Sequence, residues 1–157
     1  MKRIKKLLVF NTILGVAGLV SSGVFLPEIY GWYSTLQKPL FAPPRWFFGS
    51  AWTIFFLLMV VSVYLVWEKG IKNKKIKDAL VYFSIQLILE FIWRFLFFDR
   101  HELLFSSVEI ILLWFAVLLT IIKFWKVSKT AAYLLIPYIL WVSYIAFLNY
   151  SIFKLNP

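Results

Sequence analysis

The sequence predicts an all-α integral membrane protein, a five-transmembrane-helix bundle with a proline-rich loop between its first two helices. Three observations carry the prediction. Hydrophobic residues make up 62% of the 157-residue chain and charged residues only 15%, with a mean hydropathy of +0.84, too much apolar surface for a soluble domain of this size. Five windows can each supply the ~20 residues that cross a hydrocarbon core. Their apolar runs are continuous rather than alternating, which argues against barrel strands, whereas helices satisfy their own backbone groups in lipid. The whole chain, residues 1–157, reads as one domain.

The first window, Leu7 to Leu26, follows the basic start MKRIKK. That start resembles the front of a signal peptide, but the apolar run exceeds a signal core and no small-residue cleavage site follows, so it reads as a retained first helix. The remaining helices are expected at Trp46 to Trp67, Ala79 to Phe98, Leu103 to Ile122 and Thr130 to Phe153. The first, second and fifth windows contain no Asp, Glu, Lys or Arg.

The formal charge of +10 would suggest nucleic acid in a soluble protein, but its distribution has a simpler account. Twelve basic residues precede the first helix or fill the loops after the second and fourth, whereas Lys38, Arg45, Arg100 and Lys154 fall at the other ends. The positive-inside rule then puts the amino terminus in the cytoplasm and the carboxyl terminus outside, as expected in a bacterial cell membrane, with lipid and no nucleic acid as partner. The chain has no cysteine, which excludes disulfides and thiolate metal sites. The single histidine, His101 in the DRHE turn, reads as a solvated interface residue, because a metal needs several convergent donors. No P-loop, G-x-S-x-G or H-E-x-x-H motif and no internal repeat is present.

Between the first two windows lies WYSTLQKPLFAPPR, Trp32 to Arg45. Pro39, Pro43 and Pro44 fix their own backbone angles and push the residues before them toward extended geometry, so this strap is a semi-rigid cover that cannot continue a helix. Trp32, Tyr33 and Trp46 also suit an interfacial aromatic belt. On ideal helices, Trp52, Phe56, Met59 and Val63 share one stripe, and Tyr138, Trp141, Ile145 and Asn149 share another. Such stripes are usually packing.

W-Y-x-x-L-x-K-P from Trp32 to Pro39, the pair Pro43-Pro44, Trp52 in an aromatic second helix, and IPYILW from Ile136 to Trp141 followed by Leu148-Asn149 together resemble the TspO/MBR family of tryptophan-rich sensory and translocator proteins. The resemblance covers nearly the whole chain. It departs at Phe41, where the family commonly has Trp, and in the third helix, where Glu90 and Arg94 replace a small polar pair. It implies a five-helix bundle, usually dimeric, with a pocket near the strap for porphyrins such as protoporphyrin IX and related hydrophobic ligands. The expected ligand-binding residues are Tyr33, Lys38, Trp52, Phe56, Trp93, Tyr138, Trp141, Ile145 and Asn149. Aromatic faces would stack on a macrocycle, Tyr33 and Asn149 would orient it, and Lys38 with Arg45 would meet its propionates. No metal and no required cofactor are expected, porphyrin being the ligand, because plausible axial ligands are absent.

Glu90, Arg94 and Glu109 form an expected intramembrane charge network, since charges at such depth seek protein or water. Glu90 and Arg94 are spaced to pair along one helix, and the short DRHE turn could bring Arg94 level with Glu109. An ion pair joining the third and fourth helices and a role in ligand or proton handling both remain open. Gly18 and Ser22 form a small-x-x-x-small pair permitting close helix approach, and Leu148, Tyr150 and Lys154 fit a loose cholesterol pattern. The function expected is receptor-like binding of tetrapyrroles for sensing, delivery or disposal. Light- and oxygen-dependent porphyrin breakdown, with Trp52 and Trp141 as redox partners, and transport of porphyrin or lipid by a small carrier are the alternatives. No acid-base constellation supports hydrolysis.

Overall fold

The computed structural model describes residues 2–157, with all side chains except those at positions 2, 13, 16, 17 and 19–25. Among the described residues there are helices and no strands. The order is α1 (Lys2–Tyr30), α2 (Trp32–Thr35), α3 (Arg45–Trp67), α4 (Lys74–Arg94), α5 (Leu103–Trp125) and α6 (Lys129–Leu155). Six helices thus stand where five were expected, because the start of the strap winds into the single turn α2 instead of running extended. Residues 36–44 are non-helical and carry Pro39, Pro43 and Pro44. The segments Arg45–Trp67, Lys74–Asp99, Leu103–Trp125 and Lys129–Leu155 are long and apolar enough to cross a membrane.

Local chemistry sets the boundaries. Asn73 caps α4 by accepting from the Lys75 N–H at 2.9 Å, and Ser128 caps α6 by accepting from the Ala131 N–H at 3.3 Å, each filling a donor that a helix start leaves without a partner. Gly70, at φ +104°, turns the α3–α4 loop through a region that side chains resist. Beyond Arg94 the helix widens into a π turn, Phe95–Asp99, where the Arg100 N–H reaches the Phe95 carbonyl at 3.0 Å. His101 then takes φ +56°, which closes the short turn into α5.

The helices sort the charges by end. Arg3 meets Glu68, the Lys69 ammonium donates to the Val127 carbonyl at 2.7 Å, and Lys123 pairs with Asp78 at 2.6 Å. These contacts gather the start of α1, the α3–α4 loop and the α5–α6 loop at one end. The other end holds the strap and the chain terminus, where the Gln37 N–H donates to Asn156 Oδ1 at 3.0 Å and Asn156 Nδ2 donates back to the Gln37 carbonyl at 2.9 Å. Just inside the basic end, Val66, Ala79, Phe124, Ala131 and Leu135 are sealed from solvent.

Candidate functional site

The aromatic stripes converge on the strap end of the bundle. Tyr33, buried in α2, meets Phe48 edge-on at 5.4 Å and lies 6.2 Å from Phe97 and 6.5 Å from Phe98. Its hydroxyl is buried with no hydrogen-bond partner among the described residues, and burial pushes the phenol's pKa up. Trp52 of α3 lies 5.6 Å from Phe48, 6.1 Å from Trp93 and 5.9 Å from Phe98. Trp141 of α6 stacks on Phe55 at 5.4 Å, and its buried indole N–H also has no hydrogen-bond partner among the described residues.

These residues do not surround one chamber. A cleft of about 210 Å³ opens between α1 and α3, with Gly15, Gly18, Ile29, Trp52, Phe56 and Arg94 among its walls. Among the described residues, Arg94 is the one charged side chain on that lining. Gly18 permits the close approach, since a Cβ there would stand 3.2 Å from the Phe56 ring; Ser22, the other half of the small-residue pair, lies outside the described side chains. Trp52 separates the cleft from an inner void of about 10 Å³ lined by Glu90, Trp93, Tyr138, Trp141 and Ile145. A second void of about 10 Å³ lies beneath Tyr33, with Trp93, Ile145 and Asn149 on its walls.

The polar members are held as follows. Arg94 donates to Glu90 Oε1 from Nε at 3.1 Å and from Nη2 at 2.8 Å, and its guanidinium lies 4.8 Å over the Trp52 ring. Tyr138 donates its hydroxyl to Glu90 Oε2. Glu109 is buried, yet neither carboxyl oxygen has a hydrogen-bond partner among the described residues. The expected α4–α5 tie between Arg94 and Glu109 is not found among the described residues; the tie observed runs from α4 to α6, where Glu90 faces Tyr138, and the pairing of Glu90 with Arg94 stays within one helix. Asn149 accepts from Trp93 Nε1 at 2.9 Å and donates to Ser107 Oγ at 2.8 Å and to the Leu103 carbonyl at 3.2 Å. It joins α4, α5 and α6. Lys38 donates to the carbonyls of Tyr33, Leu36 and Ser34 at 3.0, 2.9 and 3.4 Å, so its ammonium closes the strap on itself, 5.0 Å from the Tyr33 ring.

The tryptophan and proline pattern and the buried aromatic core have a counterpart in known proteins: residues 9–155 match the TspO/MBR family. This chain belongs to the TspO/MBR family. It is 38% identical over 156 residues to the tryptophan-rich protein TspO of Chlorobaculum tepidum, covering 98% of this chain and 99% of that one. It is 39% identical over 147 residues to the tryptophan-rich protein TspO of Archaeoglobus fulgidus, covering 92% and 94%. To the human translocator protein it is 34% identical over 126 residues, covering 80% and 75%. With its apolar helices, this TspO/MBR protein is an integral membrane protein.

Several residues that shape the TspO/MBR site carry no signal in the sequence. Tyr144 donates to the Phe41 carbonyl at 2.6 Å and Phe41 stacks on Phe147 at 5.2 Å, so the strap is moored to α6. His101 stacks on Trp32 at 4.1 Å and sits 3.2 Å from Glu28, tying the α4–α5 turn to α1 and α2. Gly15 and Ile29 bring α1 into the cleft wall. Only the helix-to-helix register, which spacing within one helix does not encode, reveals these pairings.

Proposed function

We propose that this protein is a receptor-like membrane protein that binds tetrapyrroles such as protoporphyrin IX, and related hydrophobic ligands, for sensing, delivery or disposal. The observation that supports this reading best is the apolar cleft beside Trp52 and Phe56 with the Arg94 guanidinium on its wall. Indole and phenyl faces suit a flat macrocycle, and a cation on an otherwise apolar wall suits a ligand carboxylate. The Lys38 donors are turned to strap carbonyls and Arg94 is paired with Glu90, so a ligand carboxylate in the cleft would share the Arg94 guanidinium with Glu90. At about 210 Å³ the cleft falls below the ~300–1,000 Å³ of typical small-molecule sites. A macrocycle would therefore enter edge-first between α1 and α3, or α1 would swing outward to admit it.

In the same reading α1 is a fifth membrane span, the basic end faces the cytoplasm and the carboxyl terminus lies outside, and the protein works as a homodimer that needs no cofactor. A second reading, light- and oxygen-dependent porphyrin breakdown, draws support from Phe48, which lies 5.6 Å from Trp52 and 6.4 Å from Trp141 and links the two indoles into one ring path. Absorbance titration of the purified protein with protoporphyrin, in darkness and then under illumination, tests both. Saturable binding without bleaching is expected; pigment loss that depends on the tryptophans would move the assignment to the enzyme. Absence of saturable binding would remove the proposal.

A further inference from the structure

The cavity at the basic end is distinct from the porphyrin cleft and has a chemistry of its own. It measures about 380 Å³ and lies between the start of α1 and the end of α3, walled by Arg3, Lys6, Tyr64, Trp67 and Glu68, with Gly70 and Ile71 on its loop side. Lys6 lies 5.2 Å from the Trp67 ring. Phe10 stacks on Trp67 at 5.8 Å and 18° and lies 6.3 Å from Tyr64, so cations at the mouth give way to an aromatic floor deeper in. Ile71 on the cavity wall and Val61, one turn before Tyr64 on α3, are exposed. Nothing stands within 4 Å of a Cβ built on Gly70, which leaves the loop side open.

We infer that this cavity seats the headgroup of an anionic phospholipid, its phosphodiester between Arg3 and Lys6 and its acyl chains along α3 beside Val61. Three features decide the chemistry. Two cations against one carboxylate give the wall a positive balance, and Lys69, Lys72, Lys74 and Lys75 in the following loop and helix start deepen the potential around it. Basic pockets between helices near a membrane surface recognise lipid headgroups by this means. The Trp67 and Tyr64 rings belong to the residue types that settle at headgroup depth, and the exposed Val61 would face acyl chains rather than water. A free anion would use the cations but not the apolar flank.

Thermal unfolding and native mass spectrometry of the full chain in detergent, with phosphatidylglycerol, phosphatidylcholine or inorganic phosphate added, separate these sources. Phosphatidylglycerol should stabilise the protein and remain bound, phosphatidylcholine should do so weakly, and phosphate should have little effect. Lys6→Gln and Arg3→Gln should each weaken phosphatidylglycerol binding about fivefold. Glu68→Gln should strengthen it by removing the competing carboxylate. Lys74→Gln with Lys75→Gln removes two charges at the same end but outside the cavity wall, and should cost less than Arg3→Gln with Lys6→Gln. Equal losses for the two double variants would replace the cavity by a diffuse surface potential. Equal stabilisation by inorganic phosphate would replace the lipid by a free anion. Weaker binding in Glu68→Gln would also overturn the site, and because Arg3 is largely exposed these substitutions leave the core packing untouched.

Discussion

The two sides of this bundle are joined by different chemistry. On the α4–α5–α6 side, buried polar groups cross between helices: Trp93 to Asn149, Asn149 to Ser107, and Tyr138 to Glu90, with Trp114 Nε1 donating to Ser143 Oγ at 2.7 Å nearer the surface. On the α1–α3 side, the joints among the described residues are a glycine against a phenyl ring, Gly18 on Phe56, and aromatic stacks such as Phe10 on Trp67, with Arg3–Glu68 and Glu28–His101 at the two ends. Lipid offers little hydrophobic drive between helices, so directional bonds and close packing hold a membrane bundle together. The α4–α5–α6 side has both. The α1–α3 side has the cavity, and among the described residues its contacts are rings and end pairs, which a large ligand could part more easily than buried hydrogen bonds.

The largest effect expected of that difference is at Arg94. Arg94→Ala removes the charge-assisted bonds to Glu90 Oε1 and strands a carboxylate that keeps only Tyr138, at a cost of about 3–5 kcal/mol. Adding Glu90→Gln should recover much of this, whereas adding Glu109→Gln should not, because Glu109 accepts no hydrogen bond from the network. Thermal unfolding in detergent measures both double variants. Equal recovery would mean that Glu109 belongs to the same electrostatic unit.

A smaller loss is expected at Asn149. Asn149→Ala breaks three bonds among α4, α5 and α6, about 2 kcal/mol at the ~0.6 kcal/mol typical of interhelical bonds in membranes. Thr53→Ala, on the cleft wall, removes a hydroxyl that bonds only the Gly49 carbonyl of its own helix. It should change stability by less than ~0.5 kcal/mol. If the two variants unfold at the same temperature, the sides do not differ in the way their bonds imply.

The sequence reading reached the apolar helices, their charge-sorted ends and the buried faces of α3, α4 and α6, because each of these is written in spacing along one segment. Trp52, Tyr138, Trp141 and Asn149 fall on the faces their periodicity assigned. It did not reach the division of that aromatic set into a cleft and two small voids, since this depends on how far α1 stands from α3, and the apolar sequence of α1 carries no register signal. Nor did it separate polar residues used for packing from those open to a ligand. Asn149 and Lys38 look like ligand contacts in sequence, yet both spend their donors inside the protein. The π turn at Phe95–Asp99 was read as a simple helix end because no glycine or proline marks it.

For the proposed porphyrin ligand, the same comparison orders the tryptophans. Trp52 lines the cleft while Trp141 lines only the inner void. Trp52→Ala should weaken binding about fivefold, the ~1 kcal/mol scale of an aromatic contact, and Trp141→Ala by less than about twofold on that scale. Fluorescence-quenching titrations, corrected for the missing indole, read the difference. A larger loss at Trp141 would place the macrocycle deep among α3, α4 and α6 and require the voids to open.

The smallest effect concerns the strap, and its sign distinguishes two forces on one ammonium. Burial first, and the nearby Arg45 charge second, pull the pKa of Lys38 below the ordinary lysine value, while the carbonyls of Tyr33 and Leu36 accept its protons and pull the other way. With the net shift downward, the unfolded chain binds this proton more tightly than the folded one. Stability then rises with pH between the folded-state pKa and the unfolded value near ~10.4, and the contribution is flat below that window. Lys38→Gln abolishes this titration while leaving every other group in place. The wild-type unfolding temperature, followed from about pH 8 to about pH 10.5, should therefore climb slightly relative to that of the variant. The rise will be small because Lys38 is only half-buried and solvent screens it. A wild-type curve that falls relative to the variant would mean that the carbonyl cage outweighs burial, and that the strap is clamped by a held cation rather than merely tolerating one.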